Sequence, residues 1–202
     1  MDAADWDRRY AATELVWSAS PNVFVAHEVD GLAPGRALDL ACGEGRNARW
    51  LAARGWQVTA VDFSAVGVEK GRRTAPEVDW RVGDVLTCPL PSGLDLVVVA
   101  YLQLTEPERR TALRRCAQAL APGGRLLVVA HDRTNLTEGT GGPQDPAVLY
   151  SAQDVLADVE DVPGIAWDVV RAERVAREVP AADGHGAPGT AWDALAHLRR
   201  RD

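Results

Sequence analysis

Residues 37–64 read ALDLACGEGRNARWLAARGWQVTAVDFS, and this stretch predicts the fold. A buried strand pattern ends at the turn CGEG, residues 42–45, and the helical pattern that follows stops at Gly55. A second strand pattern, at residues 56–62, ends at Asp62. Since a strand, a helix and a second strand joined in this way lie parallel in one sheet, the stretch predicts a βαβ unit.

The same alternation continues along the chain, and we count five strand-then-helix units. Two further strand patterns follow without a helix between them, so they are expected to pair as an antiparallel β-hairpin. The expected fold class is α/β, with a single doubly wound, Rossmann-like sheet of seven strands in the order 3-2-1-4-5-7-6 and the hairpin at its far edge. The remaining predicted elements are strands at residues 78–82, 94–100, 125–130, 167–179 and 190–198, helices at 64–73, 105–120 and 151–161, a turn at 121–124, and a long mobile loop at 132–146.

The composition is typical of one soluble globular domain. The 202 residues include 22 basic and 29 acidic side chains, a formal net charge of −7, which argues against nucleic acid or an acidic membrane surface as a partner. The first residues carry no apolar signal segment, and no stretch is apolar enough to span a bilayer. The scattered cysteines and histidines indicate neither a disulfide framework nor a metal site, so we expect a cytoplasmic protein, either a monomer or a homodimer.

Acidic residues and glycines gather where the first three predicted strands end. Because a parallel sheet binds ligands beyond the carboxyl ends of its strands, Gly45, Asp62 and Asp84 are expected along one edge. The pair Gly43 and Gly45 alone is weak evidence, since it also fits a dinucleotide fingerprint. Asp62 suits ribose hydroxyls and Asp84 suits an exocyclic amine, whereas Asp39 would repel a diphosphate. The set therefore favours a cationic nucleoside.

Taken together, four segments in this order resemble the class I S-adenosylmethionine-dependent methyltransferases. They are residues 37–64, VGDV at 82–85, LDLVVVAYLQL at 94–104 and LAPGGRLLVV at 120–129. The chain is most similar to a bacterial small-molecule branch that includes tellurite-resistance and thiopurine methyltransferase relatives. WDRRY at 6–10 and WSASPN at 17–22 are similar to the N-terminal lid of that branch.

The resemblance implies S-adenosyl-L-methionine as the cofactor, S-adenosyl-L-homocysteine as the product and a small molecule as the methyl acceptor. It also implies one methyltransferase domain, residues 1–202, divided into a lid at 1–30, a cofactor-binding core at 35–131 and, at 132–202, a substrate loop, a helix and the terminal hairpin. The implied cofactor-binding residues are Trp17 over the cofactor, Asp39 at its ammonium group, Ala41, Gly43 and Gly45 in the glycine loop, Asp62 at the ribose, Phe63, Asp84 and Val85 at the adenine, and Ala100 beside the sulfonium.

Two residues are candidates for catalysis. His131 ends the fifth strand and could act as a base, and Tyr101 borders the sulfonium by the same resemblance. Each candidate has a structural alternative: His131 as a hydrogen-bonded structural histidine and Tyr101 as a core residue. Asp39 could instead support the loop, and Asp84 could be an ordinary turn residue. The other residues considered are Cys42 as a buried filler, His27 as a packing or lid residue and His185 as a solvated loop residue.

Two other functions stay open at this point. One is a nicotinamide-dependent oxidoreductase that uses the same glycine turn, and the other is an adenosyl-cofactor-binding module without catalysis. Methyl transfer from a sulfonium relies mainly on proximity and alignment, so the sequence makes no side chain obligatory. Thiol, oxyanion, hydroxyl and nitrogen acceptors are all compatible with the chain.

Overall fold

The computed structural model describes residues 2–179 and 189–202. Its strands are β1 (Arg36–Leu40), β2 (Gln57–Asp62), β3 (Asp79–Val82), β4 (Leu94–Ala100), β5 (Leu120–His131), β6 (Trp167–Val179) and β7 (Gly189–Arg200). They form one sheet in the order β3-β2-β1-β4-β5-β7-β6, which confirms the predicted order. Strand β7 runs antiparallel to both β5 and β6, and the pairs among β1 to β5 are parallel. The predicted seven-stranded α/β fold with a C-terminal hairpin is confirmed.

Helices cover both faces of this sheet. They are α1 (Ala3–Ala11), α2 (Val23–Val29), α3 (Arg46–Ala52), α4 (Ala65–Thr74), α5 (Glu106–Ala119), α6 (Asn135–Glu138) and α7 (Ala152–Val159), with a 3-10 turn at Pro146–Val148. Alternate residues of β4 point to opposite faces: Leu96 and Val98 pack with α2, α3 and α4, whereas Val97 and Val99 pack with α5 and α7. A continuous apolar strand is therefore buried on both sides, as a central parallel strand requires.

Several predicted helix starts are confirmed by their capping contacts. The Ser64 hydroxyl accepts a hydrogen bond from the Gly67 amide at 3.1 Å and caps α4. The Glu108 carboxylate accepts from the Thr105 amide at 3.2 Å at the start of α5. These caps fix where each helix leaves the edge of the sheet on which β1, β2 and β4 end. No helix among the described residues is long and apolar enough to cross a bilayer.

The count of five strand-then-helix units is wrong, because no helix follows β3. Residues 83–93 form turns instead. Pro89 and Pro91 lie in this segment, and proline removes a helical hydrogen bond and restricts the residue before it. The Arg115 side chain of α5 donates to the carbonyl groups of Val85 and Cys88, so the segment is tied to the sheet without a helix.

Two other boundaries differ from the prediction. The turn expected at 121–124 is part of β5, since Leu120 already pairs with Leu94 and a bulge precedes the pairing of Leu96 with Arg125. The segment 132–146, predicted as a long mobile loop, contains α6. The Asn135 side chain is 2% exposed, donates to the Gly141 carbonyl at 2.8 Å and accepts from the Trp192 amide at 2.7 Å. His185 and the loop that joins the hairpin strands lie outside the described residues.

Candidate functional site

The carboxyl ends of β1 and β2 are joined by Asp62. Its Oδ2 accepts a hydrogen bond from the Gly43 amide at 2.8 Å, and its Oδ1 accepts from the Ser64 amide at 2.9 Å. The side chain is 5% exposed, and burial raises its pKa although both amides lower it. Each carboxylate oxygen can accept a second hydrogen bond. Asp62 is therefore held rigidly and still has acceptor capacity for a ligand.

Asp39 lies deeper in the same edge, and only one of its two carboxylate oxygens accepts a hydrogen bond. Its Oδ2 accepts from the Ala48 amide of α3 at 2.9 Å, whereas its buried Oδ1 has no hydrogen-bond partner among the described residues. Burial raises the pKa of Asp39 to about 7, although the Ala48 amide and the Arg46 guanidinium lower it. A buried acceptor without a donor is costly, so this oxygen fits a cationic N–H donor from a ligand.

The backbone around these carboxylates has an unusual conformation. Ala41, directly after β1, has φ of 61°, and Tyr101, directly after β4, has φ of 60°. Left-handed conformations of non-glycine residues are strained and cluster at functional sites. Gly43 and Gly45 have φ of 56° and 75°. A Cβ at Gly43 would overlap the Tyr10 hydroxyl, so only glycine allows the loop and the N-terminal segment to meet.

The end of β3 lies beside Asp62, as predicted. The Gly83 amide donates to the Asp62 carbonyl at 2.9 Å, which brings Asp84 to the same edge of the sheet. The exposed Asp84 carboxylate accepts from the Leu86 amide at 2.8 Å and so forms a turn of its own. Val85 is buried and Phe63 is half-buried. The turn interpretation of Asp84 and its predicted role at an adenine are compatible, because one carboxylate oxygen stays outside the turn.

The N-terminal segment lies over the glycine loop. Tyr10 of α1 is 4% exposed and contacts Gly43, and the Trp17 indole donates to the Tyr10 hydroxyl at 3.3 Å. The Glu44 carboxylate accepts from the amides of Val16 and Trp17 at 2.9 and 3.3 Å. We call residues 2–17 the lid. The predicted position of Trp17 in a lid at this edge agrees with these contacts.

Lys70 of α4 fastens the lid from the other side. Its ammonium group donates to the Glu44 carboxylate at 3.0 Å and to the main-chain carbonyl groups of Tyr10, Thr13 and Glu14. We call Lys70 and Glu44 the clasp. Sequence reasoning missed the clasp and gave Tyr10 no role beyond its place in the lid segment WDRRY. Lys70 stands out in the sequence as the only lysine of the chain.

A polar cluster lies on the side of β4 and β5. Tyr101 donates its hydroxyl hydrogen to Asp193 Oδ2 at 2.8 Å and accepts from the Asn22 amide group at 3.1 Å. Asp193 of β7 is fully buried and also accepts from Arg177 Nε at 2.7 Å. Burial and the nearby Asp193 carboxylate raise the pKa of Tyr101, so the phenol stays protonated. Ala100, just before it, is half-buried.

His131 completes this cluster, which we call the acceptor-side cluster (Tyr101, His131, Arg177 and Asp193). The imidazole ring lies against the Tyr101 ring with 4.8 Å between centroids. Its Nδ1 is 3.4 Å from Asp193 Oδ1. Sequence reasoning placed His131 and Tyr101 at the edge but missed Asp193 and Arg177. An acidic residue inside the apolar pattern AWDALAHL, residues 191–198, is the signal that could have found Asp193.

Two other candidates lie apart from this chemistry. The prediction that His27 is a packing residue is wrong, because its side chain on α2 is 74% exposed and contacts Glu28. Cys42 is half-buried in the glycine loop, and burial together with Asp39 raises the pKa of its thiol well above the usual value. A thiol that stays protonated is a poor nucleophile, which agrees with the prediction that Cys42 is a filler.

Comparisons with known proteins agree with this architecture. Residues 37–124 match the family described as "Methyltransferase domain". Among solved structures, the N-methyltransferase NodS from Bradyrhizobium japonicum WM9, in complex with S-adenosyl-L-homocysteine, has a TM-score of 0.72 at 20% identity and covers 99% of this chain and 98% of its own. TehB from Haemophilus influenzae has a TM-score of 0.72 at 18% identity and covers 90% of this chain and 63% of its own.

Curated relatives match the core of the chain. Demethylmenaquinone methyltransferase of Renibacterium salmoninarum is 33% identical over 100 residues, which are 48% of this chain and 42% of the relative. A ubiquinone biosynthesis O-methyltransferase of Xanthomonas euvesicatoria is 34% identical over 109 residues, 51% of this chain and 46% of the relative. The match thus spans less than half of either relative.

The sheet order and the edge formed by Asp39, Gly43 and Asp62 are those of a Rossmann-like methyltransferase fold. The chain resembles TehB and NodS in its fold, and residues 37–124, less than half of the chain, match the methyltransferase-domain family.

Proposed function

We propose that the protein transfers the methyl group of S-adenosyl-L-methionine to a small-molecule acceptor and releases S-adenosyl-L-homocysteine. The observation that carries the proposal is the buried Oδ1 of Asp39, which has no donor among the described residues. The ammonium group of the methionine part would supply one. A diphosphate beside the same carboxylate would be repelled, which disfavours a nicotinamide cofactor.

The residues at the sheet edge fit the remaining parts of this cofactor. Asp62 retains acceptor capacity for the ribose hydroxyls, and Asp84 with Val85 would bind the adenine edge while Phe63 packs on its face. Ala41 and Gly43, with Gly45 next to them, would offer backbone groups to the methionine part. Ala100 and Tyr101 would border the sulfur, with Trp17 covering the site from the lid.

The protein's contribution to the reaction is mainly alignment and exclusion of water. The bound sulfonium supplies an activated methyl group. The clasp holds the lid over the glycine loop, and the strained Tyr101 backbone fixes the end of β4 where the acceptor would approach. A site closed in this way would hold the acceptor next to the methyl group and exclude water.

The names of the curated relatives support a small-molecule acceptor, since one relative is named for ubiquinone biosynthesis and another for demethylmenaquinone. The net charge of −7 supports an acceptor other than nucleic acid and a site away from anionic membranes. We extend the proposal to one cytoplasmic domain, residues 1–202, acting as a monomer or homodimer without a bound metal. Within it, 1–30 would form an N-terminal region of the lid (residues 2–17) and a following helix, 35–131 the cofactor-binding core and 132–202 the acceptor side.

The test is a methyl-transfer assay with isotopically labelled cofactor and separate pools of phenols, thiols and amines, read out as S-adenosyl-L-homocysteine formed. We expect product with at least one pool, no product with Asp62→Ala, and normal product with Asp79→Ala, whose carboxylate is half-exposed on β3. Binding of S-adenosyl-L-homocysteine without turnover in every pool would favour a non-catalytic module. Binding of NAD instead would favour the oxidoreductase.

A further inference from the structure

We infer that His131 and Asp193 form a proton-accepting pair and that the methyl acceptor is a small molecule with a hydroxyl group. His131 would take the hydroxyl proton, and Asp193, held by Arg177, would position the imidazole. This inference rests on the proposed function, and it names the acceptor class that the function leaves open.

The first observation is a pair of neighbouring buried atoms that both lack a hydrogen-bond partner. Among the described residues, the only buried side-chain nitrogen or oxygen atoms without a partner are Asp39 Oδ1, His131 Nδ1 and Asp193 Oδ1. The last two lie 3.4 Å apart, within ion-pair distance, although their orientation does not meet hydrogen-bond geometry. Buried polar groups are normally paired, and a hydrogen on Nδ1 would satisfy both atoms after a small rotation of the ring towards the Asp193 carboxylate.

This arrangement sets the tautomer of the ring. With the hydrogen on Nδ1, the lone pair of the neutral imidazole is on Nε2. Nε2 makes no hydrogen bond to a described residue, and it is not among the buried atoms that lack a partner. The His131 side chain is 15% exposed. The basic nitrogen is therefore the one that an acceptor can reach.

Asp193 is suited to hold an imidazole that gains a proton. Burial raises the pKa of Asp193, but the nearby His131 and Arg177 lower it by more, so the group is a carboxylate. Its Oδ2 is occupied by the Tyr101 hydroxyl and Arg177, which leaves Oδ1 for His131. A fixed carboxylate behind an imidazole orients the ring and stabilises its protonated form.

The pair lies beside the place assigned to the sulfur. Val129 of β5 pairs with Ala100 of β4, so His131 lies two residues beyond this pair on the neighbouring strand. Its ring contacts Tyr101, which follows Ala100. His131 and the methyl donor would thus lie on adjacent strands, and both would contact the small molecule that accepts the methyl group.

The chemistry favours a hydroxyl over a thiol. The oxygen of the methyl acceptor attacks the methyl carbon while its proton moves to His131 Nε2. The electron pair of the O–H bond stays on the oxygen. The methyl–sulfur bond breaks, and its electron pair stays on the sulfur of the departing S-adenosyl-L-homocysteine. A hydroxyl is a weak nucleophile unless a base removes its proton in this way, whereas an aromatic thiol ionises in water unaided.

Charged and titratable groups around the imidazole and the adjoining Tyr101 ring come from four neighbouring elements. They are Tyr101 after β4, Asp193 on β7, Arg177 on β6, whose guanidinium lies 5.5 Å from the Tyr101 ring centroid, and Arg46 on α3, at 5.7 Å from the same centroid. Gly142 approaches the other side of the ring.

The test combines kinetics with a measurement on the ring itself. With a substituted phenol as probe, we expect His131→Gln and Asp193→Asn to lower kcat roughly 100-fold and roughly 10-fold, while His27→Gln changes nothing. With a substituted thiophenol as probe, all variants should keep the wild-type rate within about twofold.

The second readout needs no turnover. Imidazole ¹⁵N chemical shifts of the protein with bound S-adenosyl-L-homocysteine should show His131 with hydrogen on Nδ1, and Asp193→Asn should abolish that preference. Unchanged phenol turnover in His131→Gln, an equal loss with thiophenol, or hydrogen on Nε2 in the wild type would each overturn the inference. Failure of S-adenosyl-L-homocysteine to bind, or of any methyl transfer, would instead overturn the proposed function.

Discussion

The Asp62 carboxylate accepts a hydrogen bond from the Gly43 amide at 2.8 Å, and this contact locks the end of β2 to the glycine loop after β1. Two segments that a ligand must touch together are therefore fixed before the ligand arrives. Preorganised groups bind more tightly because less order is lost on binding.

Asp62→Asn should weaken S-adenosyl-L-homocysteine binding at least roughly tenfold, as expected for the loss of a charged acceptor and of one loop contact. Equilibrium dialysis with labelled S-adenosyl-L-homocysteine measures the change. Asp79→Asn, on the neighbouring strand, serves as the matched control and should bind normally. Equal affinity in Asp62→Asn and the wild type would remove Asp62 from the ligand site.

Asp39 makes the stability of the ligand-free protein depend on pH. Its pKa is about 7 in the folded chain and about 3.9 in an unfolded one, so the folded state holds an extra proton between these values and stability falls as the pH rises. Asp39→Asn keeps an acceptor for the Ala48 amide and removes the titration. Urea unfolding at pH 5 and pH 8 should show a flatter dependence in the variant, which we expect to gain ~2 kcal/mol at pH 8 relative to the wild type. Parallel pH dependences in the two proteins would contradict the assignment.

The clasp should control how long the ligand stays. Lys70→Met removes four contacts that hold the lid, so dissociation of S-adenosyl-L-homocysteine should accelerate roughly 5- to 10-fold, as surface plasmon resonance can measure. Arg73→Met removes a cation that is 72% exposed on the same helix and should leave the rate unchanged. If both variants release the ligand at the wild-type rate, the clasp has no part in binding.

Gly45 should be more sensitive to substitution than its backbone angle alone implies. A Cβ there would overlap the Trp80 ring, whereas Gly164, with a similar φ of 74°, has no atom within 4 Å of such a Cβ. Gly164→Ala should cost ~1 kcal/mol through backbone strain, and Gly45→Ala ~3 kcal/mol because the ring must also move. Urea unfolding of both variants provides the comparison, and equal losses would show that Trp80 gives way freely.

The sequence predicts the sheet well because a strand that is buried on both faces appears as a continuous apolar run. The residues 94–100, LDLVVVA, are apolar apart from Asp95 and form the central strand β4. The ends of β1 and β2 are equally visible, since Asp62 and the glycines interrupt apolar patterns. The prediction of a helix after β3 is wrong. The regular alternation of strands and helices favours a helix there, but Pro89 and Pro91 disfavour it.

The rest of the site depends on contacts between distant parts of the chain. His131 and Asp193 meet only because β7 inserts beside β5, where the two residues are paired in register. Lys70 reaches Tyr10 only because α1 packs on α4. Asp193 inside an apolar strand pattern and Lys70 as the only lysine each stand out in the sequence. The sequence around them does not show which distant residues they contact.

Isothermal titration of the unmodified protein with S-adenosyl-L-homocysteine and, separately, with NAD tests the central claim most directly. The Asp39 and Asp62 carboxylates, the glycine loop and the lid predict one saturable site for S-adenosyl-L-homocysteine and no measurable heat with NAD at the same concentrations. Saturable NAD binding, with no heat from S-adenosyl-L-homocysteine, would contradict the assignment of this edge to an adenosyl methyl donor.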